Sequence, residues 1–386
     1  MRSFLWSGAG IVPGPTHRGK AAMNGARIVP GTGSTPPQSM KPIEMGHPGI
    51  WAGVLMVVLA GTAMAQVKVV PNEAGRRVDV TIDGKAFTSY VWPTSLMKPV
   101  LYPLITDEGI TVTRGYPLAP LPGERVDHPH HAGMWFNYGN ANGFDFWNNS
   151  TAIKPEDKHK YGTIRQVGIV ATRSGKDSGE LVVDSIWQTG EGKDILKQRT
   201  KYVFAKRKGA RVIDQEVTLE ALDHVVFNDD KEGLLGMRVA SWLESPEEKG
   251  GIFMDANGKP TKVDAVPDSK ATGVYLTSEG VSGPKVWATR GRWCSLTGKN
   301  PEGKTVTVAI IDEPKNPGYP TYWHARGYGL FAANPLGANV FDPKAPKFAY
   351  TIEKGKTAAF KYRVVLYDGA VGAEALNKEA DAFAGK

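Results

Sequence analysis

Hydrophobic and polar residues alternate along most of the chain from Gln66 onward, in short runs that end at turn-forming residues. The run at residues 78–82 alternates strictly and stops at Asp83-Gly84, a pair typical of a two-residue β-hairpin turn. The same pattern predicts strands at 86–92, 98–105 and 110–114. These features indicate an antiparallel sheet at the start of the folded region.

Longer alternating runs follow, joined by turns that contain glycine, and four of them predict a meander of strands: 163–172, 180–188, 195–205 and 211–222. Later strands are predicted at 234–242, 274–276, 285–296, 305–311, 322–333 and 358–366. Only residues 371–383 have apolar positions spaced for one face of a helix. We therefore predict an all-β fold, a large antiparallel two-sheet sandwich with one C-terminal helix. A propeller is the alternative, which the lack of an internal repeat disfavours.

The first 65 residues do not follow this pattern. Residues 1–39 are rich in Gly, Pro and Ser, and we interpret them as disordered or as a start site placed too far upstream of Met40 or Met45. Residues 49–65 form an apolar run that ends in Ala-Met-Ala before Gln66, which is typical of a signal peptide at 40–65. A retained membrane anchor is the alternative. The sequence thus predicts a single β-sandwich domain at 66–386, located in the periplasm or secreted.

Charge and cysteine content add little to this picture. Residues 1–65 hold five of the 47 Lys and Arg residues and one of the 39 Asp and Glu residues, which leaves a net charge of about +4 on the predicted mature chain. This charge indicates neither a nucleic-acid partner nor a membrane partner after signal cleavage. Cys294 has no second cysteine to pair with, so we expect a buried structural thiol.

Three of the eight histidines lie close together, at His128, His130 and His131. Imidazoles bind metals, transfer protons near neutral pH and hydrogen-bond polar ligands, and they also stabilise loops. In an extended segment His128 and His130 would share a face, so a metal site with a distant third ligand is one hypothesis; contact with a polar ligand or proton transfer is another. Trp135 and Trp147 nearby offer flat faces on which a sugar could stack.

Two further segments carry the same chemistry. In the predicted strand 322–333, His324 and Arg326 would lie on one face with Tyr322 and Tyr328 in line; the alternative is an aromatic core strand. In the second segment, Glu232 begins an apolar strand, where partial burial could raise its pKa toward that of a working general base. A solvent-exposed charged turn is the alternative there.

Four blocks of sequence together resemble the PmoA-like family of exported bacterial domains, whose function is unassigned. They are HPHHAGMWFNYGNANGFDFW, DDKEGLLGMRVA, WATRGRWCSLTG and IIDEPKNPGYPTYWHARGYGLFAANPLG. The resemblance implies one pocket lined by His128, His130, His131, Glu232, Arg238, His324 and Arg326. By analogy of fold, such a sandwich is similar to the mutarotase-like supersandwich, in which His and Glu move protons on a sugar ring.

We therefore predict a carbohydrate-active protein that acts on a sugar or keto-sugar by proton transfer, as an epimerase, lyase or hydrolase. Glu232 is the predicted base, and His131 or His324 the predicted acid. The predicted ligand contacts are His128, His130, Trp135, Asp145, Trp147, Lys231, Arg238, Tyr322 and Arg326. A non-catalytic glycan-binding module is the first alternative, and a metal-dependent oxygenase, which the family name suggests, is the second. The expected partner is a small molecule or an oligosaccharide; the sequence assigns no metal ligands and leaves the cofactor unknown.

Overall fold

A computed structural model describes residues 66–246, 249–266 and 270–386. The predicted disordered segment 1–39 and the predicted signal peptide 40–65 lie outside the described residues. The boundaries of the single domain stay a prediction.

The described chain contains twenty strands. The first ten are β1 (Val67–Asn72), β2 (Arg77–Ile82), β3 (Lys85–Val91), β4 (Val100–Leu101), β5 (Met134–Tyr138), β6 (Thr163–Arg173), β7 (Ser178–Gln188), β8 (Asp194–Arg207), β9 (Ala210–Ala221) and β10 (Val225–Asn228). The other ten are β11 (Gly233–Arg238), β12 (Lys249–Met254), β13 (Pro260–Ala265), β14 (Val274–Thr277), β15 (Trp293–Lys299), β16 (Thr305–Asp312), β17 (Tyr322–Ala325), β18 (Leu330–Asn334), β19 (Ala349–Ile352) and β20 (Thr357–Asp368).

The helices are short. Two are α-helical, α1 (Ala338–Phe341) and α2 (Ala373–Phe383). Three are 3₁₀ helices, at Pro155–Lys160, Ser241–Leu243 and Gly283–Val286. No helix among the described residues has the length and apolarity needed to span a bilayer.

Two eight-stranded antiparallel sheets form the sandwich. The first has the strand order β1-β2-β3-β4-β5-β11-β18-β17, and the second has the order β14-β15-β16-β20-β9-β8-β7-β6. Their inner faces meet in the main core, where Phe87 packs edge-on against Phe204 at 6.0 Å and Phe136 lies 5.8 Å from Phe360. Because burying one large apolar side chain contributes about 1.5–3 kcal/mol, this core supplies most of the stability.

The outer faces of the sheets are covered differently. Helix α2 packs Leu376, Ala380 and Phe383 against the outer face of the second sheet. The outer face of the first sheet is covered by the loop that contains the histidines, with Trp135 and Trp147 packed there. This layer places the polar side chains of the histidine loop over the outer face of the first sheet.

The predicted all-β sandwich with a C-terminal helix is confirmed, and so is the four-stranded meander, which forms β6 to β9. Cys294 is buried, as expected. Five details were wrong. Residues 98–105 contain only the two-residue β4, residues 110–114 form only isolated bridges at Thr111 and Thr113, and the strand predicted at 234–242 ends at Arg238. Residues 285–292 include a 3₁₀ helix, and the predicted strand 322–333 is the hairpin of β17 and β18. Helix α1 and the hairpin β12–β13 were not predicted.

Candidate functional site

The histidine loop is a turn and not an extended segment. His128 has φ +45°, and the His131 backbone N–H donates to the His128 carbonyl at 2.8 Å. The alternation that would put His128 and His130 on one face therefore does not apply, and that prediction was wrong. The His128 ring instead stacks in parallel on His131, with 4.8 Å between centroids, and lies edge-on to His130 at 5.6 Å.

Two buried arginines hold this turn from below. Arg114 donates to the carbonyls of His128 at 3.2 Å and His131 at 3.1 Å, and to the Asp127 carboxylate at 2.6 Å. Arg238, which is 0% exposed, places Nη2 2.8 Å from the same carboxylate and 3.7 Å from Glu244. Neither carboxylate accepts a hydrogen bond from Arg238, because Nε and Nη2 have no hydrogen-bond acceptor among the described residues. The pairing with Asp127 and Glu244 is therefore ionic.

The charges of this cluster shift one another's pKa values. Burial acts to raise the pKa of Asp127, but His128, whose Nδ1 lies 3.2 Å from the carboxylate, and the guanidinium groups of Arg238 and Arg114 outweigh burial and hold the pKa well below the usual value. Burial raises the pKa of Glu244 to about 7 against the opposing effect of the arginines. Asp127 therefore stays ionised, and its side chain is one-third exposed, so it faces any ligand with a fixed negative charge.

His131 is the innermost imidazole, and both of its ring nitrogens are in contact. Trp147 Nε1–H donates to Nε2 at 3.2 Å, and Arg238 Nη1 lies 3.4 Å from Nδ1. Burial and the neighbouring positive groups lower the pKa of His131 well below its ordinary value, so the ring is neutral. Trp135 and Trp147 are 1% and 0% exposed. Their rings are therefore covered by protein and not exposed for stacking on a sugar, contrary to the prediction.

The turn Asp229–Glu232 organises the other half of the site. Asp229 accepts N–H bonds from Asn339 and Val340 of α1 at 2.7 and 2.9 Å. Asp230 accepts the Glu232 N–H at 2.9 Å. The Lys231 carbonyl lies 3.0 Å from His324 Nδ1, which fixes Nδ1–H as the donor because a carbonyl only accepts. The turn thus holds three parts of the site in place: α1 through Asp229, Glu232 through Asp230 and His324 through Lys231.

Glu232 and His324 form a carboxylate–imidazole pair. His324 Nδ1 is 3.7 Å from Glu232 Oε2, and Lys231 pairs with Oε1. Burial raises the pKa of Glu232, although Lys231 opposes the shift. Burial, with the charges of Lys231 and Arg326, lowers the pKa of His324 to about 3. His324 is therefore neutral near pH 7 and presents Nε2 as an acceptor.

Arg326 and Tyr328 lie in the turn between β17 and β18, closed by a hydrogen bond from Gly329 N to Arg326 O. The prediction that they align with Tyr322 and His324 along one strand was wrong. Tyr328 instead joins the two halves of the site: its ring stacks on His128 at 5.1 Å, lies 4.9 Å from the Arg238 guanidinium and 5.8 Å from that of Arg326. Burial raises the pKa of Tyr328 to about 12, and the charge of Glu232 adds to this rise.

All three predicted segments share the outer face of the first sheet. Strand pairing aligns Trp135 with Gly236, Gly236 with Ala332, and Ala332 with His324. Directly paired residues project from the same face of a sheet, so this row runs from the histidine loop to the Glu232–His324 pair. Neighbouring strands are about 4.8 Å apart, which separates the Trp135 and His324 backbones by about 14 Å.

The remaining predicted residues have mixed positions. The Asp145 carboxylate accepts the N–H groups of Trp147 and Asn148, each at 2.9 Å, so it fixes its own loop. Tyr322 stacks on Phe341 at 5.3 Å, beside Arg290. The His130 ring is mostly buried, and burial lowers its pKa to about 2. Among the described residues, no group of three or more His, Cys, Asp and Glu side chains could hold a metal ion.

Several residues of the site were missed at the level of sequence. They are Lys98, Arg114, Asp127, Glu244, Trp287 and Phe341. Lys98 donates to the His130 carbonyl at 2.7 Å, and burial lowers its pKa to about 7. Arg114 and Asp127 flank the loop that leads to the histidines. The one signal for Arg114 in the sequence was its position at the end of the predicted apolar strand 110–114.

The fold and the site define an all-β sandwich with an imidazole and carboxylate cluster on the outer face of one sheet. The chain belongs to the family of unknown function DUF6807, whose model matches residues 77–381. No curated protein matches the sequence. The resemblance to the PmoA-like family stays a prediction.

The chain is also similar to several solved structures. A galactose mutarotase-like protein from Clostridium acetobutylicum is 10% identical with a TM-score of 0.35, and the match covers 78% of this chain and 98% of that one. A candidate aldose 1-epimerase from Escherichia coli is 9% identical with a TM-score of 0.32, covering 78% and 98%. An alpha-galactosidase from Geobacillus stearothermophilus is 11% identical with a TM-score of 0.33, covering 80% of this chain and 41% of that one.

Proposed function

We propose that this protein is a carbohydrate-active enzyme that transfers protons on a sugar or keto-sugar at the outer face of the first sheet. The observation that carries the proposal is the Glu232–His324 pair. A carboxylate whose pKa is raised by burial lies beside a neutral imidazole, and environments of this kind suit a general base at neutral pH.

Glu232 takes the proton in this scheme, either from a hydroxyl group or from a carbon next to a carbonyl. His324 Nε2 accepts a hydrogen bond from a substrate hydroxyl group. The acid is reassigned from His131 and His324, because burial keeps both rings neutral. Tyr328 remains protonated at neutral pH and lies beside Asp127 and His128, so it is the proposed donor. Asp127, in the half of the site that holds the histidine loop, accepts hydrogen bonds from other substrate hydroxyl groups.

The substitution Glu232→Gln should lower kcat at least about 100-fold, the range seen when a general base is removed, while leaving ligand affinity intact. The measurement is product formation from a panel of reducing sugars and keto-glycosides, with affinity measured by calorimetry.

In the wild type, kcat/KM should rise with pH through the Glu232 pKa, which lies above its ordinary value, because the base must be ionised.

The matched control is Glu220→Gln. Glu220 lies on β9 in the second sheet, is half-exposed and pairs with Lys197 at 3.5 Å, so its removal should leave turnover unchanged. If wild-type protein binds a sugar from the panel without converting any, the protein is a glycan-binding module and the enzymatic proposal fails. The oxygenase alternative has no supporting donor set among the described residues.

We also propose that the protein is exported and cleaved before Gln66. The support is the apolar run that ends in Ala-Met-Ala. Expression of the full chain in a Gram-negative host should give periplasmic protein with an N-terminus at or near Gln66, as measured by intact-mass spectrometry. Recovery of uncleaved protein in the membrane fraction would show that the segment is an anchor.

A further inference from the structure

Trp287 presents a partly exposed indole ring that Phe341 links to the candidate catalytic pair. The residue is 37% exposed and is the one tryptophan among the exposed large hydrophobic side chains of the described residues. The Arg326 guanidinium lies 5.7 Å from its centroid. Exposed aromatic rings lose contact with water when they bind a ligand, and they provide the flat apolar surface that Trp135 and Trp147 do not.

The backbone around Trp287 is fixed to the strand that carries His324. Ala288 N–H donates to the Trp323 carbonyl at 3.0 Å, and Trp323 N–H donates to the Thr289 carbonyl at 2.9 Å. Ala288 has φ +66°, a conformation that costs a residue with a side chain about 1–3 kcal/mol and that is concentrated at ligand sites. Trp287 is therefore held rigidly beside β17.

Phe341 connects this ring to the catalytic pair. It lies edge-on to Trp287 with 5.9 Å between centroids, and edge-on to His324, also at 5.9 Å. Phe341 is carried by α1, whose N–H groups are bound by Asp229, three residues before Glu232. The same turn thus fixes both the base and the aromatic support of Trp287.

We propose that Trp287 is the stacking platform for the sugar, and that it binds the apolar C–H face of a pyranose ring whose hydroxyl groups reach Glu232 and His324. Arg326 adds hydrogen bonds to the ring edge. This inference rests on the proposed function, since it assigns the substrate of the same site as a cyclic sugar. It makes Trp287 a binding residue and gives it no part in proton transfer.

The test uses the full-length protein with a panel of pyranoses, namely glucose, galactose, mannose, xylose and their methyl glycosides, and with galactitol as an acyclic control that has hydroxyl groups but no ring face. A pyranose that binds should protect Trp287 from oxidation by N-bromosuccinimide, as measured by peptide mass spectrometry. Galactitol should not protect it. Trp287→Ala should weaken pyranose affinity about three- to tenfold and raise KM, with kcat little changed, whereas Trp287→Phe should keep most of the affinity.

The matched control is Leu121→Ala, which removes another exposed apolar side chain, 57% exposed, from a different loop. It should leave affinity and KM unchanged. If a pyranose is bound or converted but Trp287 is neither protected nor needed for affinity, the platform is wrong and the proposed function stands. If no sugar of the panel is bound or converted by the wild type, both proposals fail.

Discussion

Replacing Arg238 with methionine should lower the free energy of unfolding by about 3–5 kcal/mol, the cost of removing one partner from a buried ionic cluster. Arg238 is fully buried, lies against Asp127, Glu244 and the Tyr328 ring, and sits 3.4 Å from His131. Methionine would fill part of the space but leave two carboxylates without their central positive charge. Urea unfolding of both proteins gives the difference directly.

The control is Arg199→Met. Arg199 makes a two-pronged contact with Asp184, at 2.8 Å for each hydrogen bond, but its side chain is 59% exposed. An exposed pair of this kind contributes about 0.2–1 kcal/mol. Equal losses for the two variants would contradict the view that the buried cluster supports the histidine loop. Adding Glu244→Gln to Arg238→Met should restore part of the loss, because without Arg238 the buried Glu244 carboxylate keeps only Arg125, at 3.2 Å, as an ion-pair partner among the described residues.

Strands β7 and β8 of the second sheet could be predicted from the sequence because one of their faces is in contact with water. In β7 and β8, buried and exposed positions alternate almost strictly, so the period of two is visible. The strands β11 and β18 are buried on every residue, since a core covers one face and the site covers the other. Alternation is lost in such strands, and their ends could not be predicted.

The candidate site could be predicted as a set of residues but not as a geometry. Glu232, His324 and His131 were identified by residue type, and the structure places them on one face. Their protonation depends on burial, which the sequence does not show, so the neutral state of both imidazoles could not be predicted. Trp287 was missed because a single tryptophan in a polar segment is common, and its exposure depends on the distant α1 and β17.

Replacing Gly236 with valine should cost about 1–3 kcal/mol and disturb the histidine loop. Gly236 lies in the middle of β11, between Trp135 and Ala332 in the cross-strand row. A Cβ atom there would come within 2.6 Å of the Trp135 ring and 2.7 Å of the Trp147 ring, far inside ordinary contact distance. Both rings would have to move, and overpacking of a close-packed layer has a cost of this size.

The matched control is Gly168→Ala in β6, where an added Cβ would meet no atom within 4 Å. Because glycine in a strand is less stable than alanine by about 0.5–1 kcal/mol, this variant should be neutral or slightly more stable. The measurement is urea unfolding, together with near-ultraviolet circular dichroism, which should change for Gly236→Val as the stacked Trp135, Trp147 and His131 rings separate. An unchanged spectrum with full stability would show that the rings move freely, and the layer would not then be the rigid support of the site.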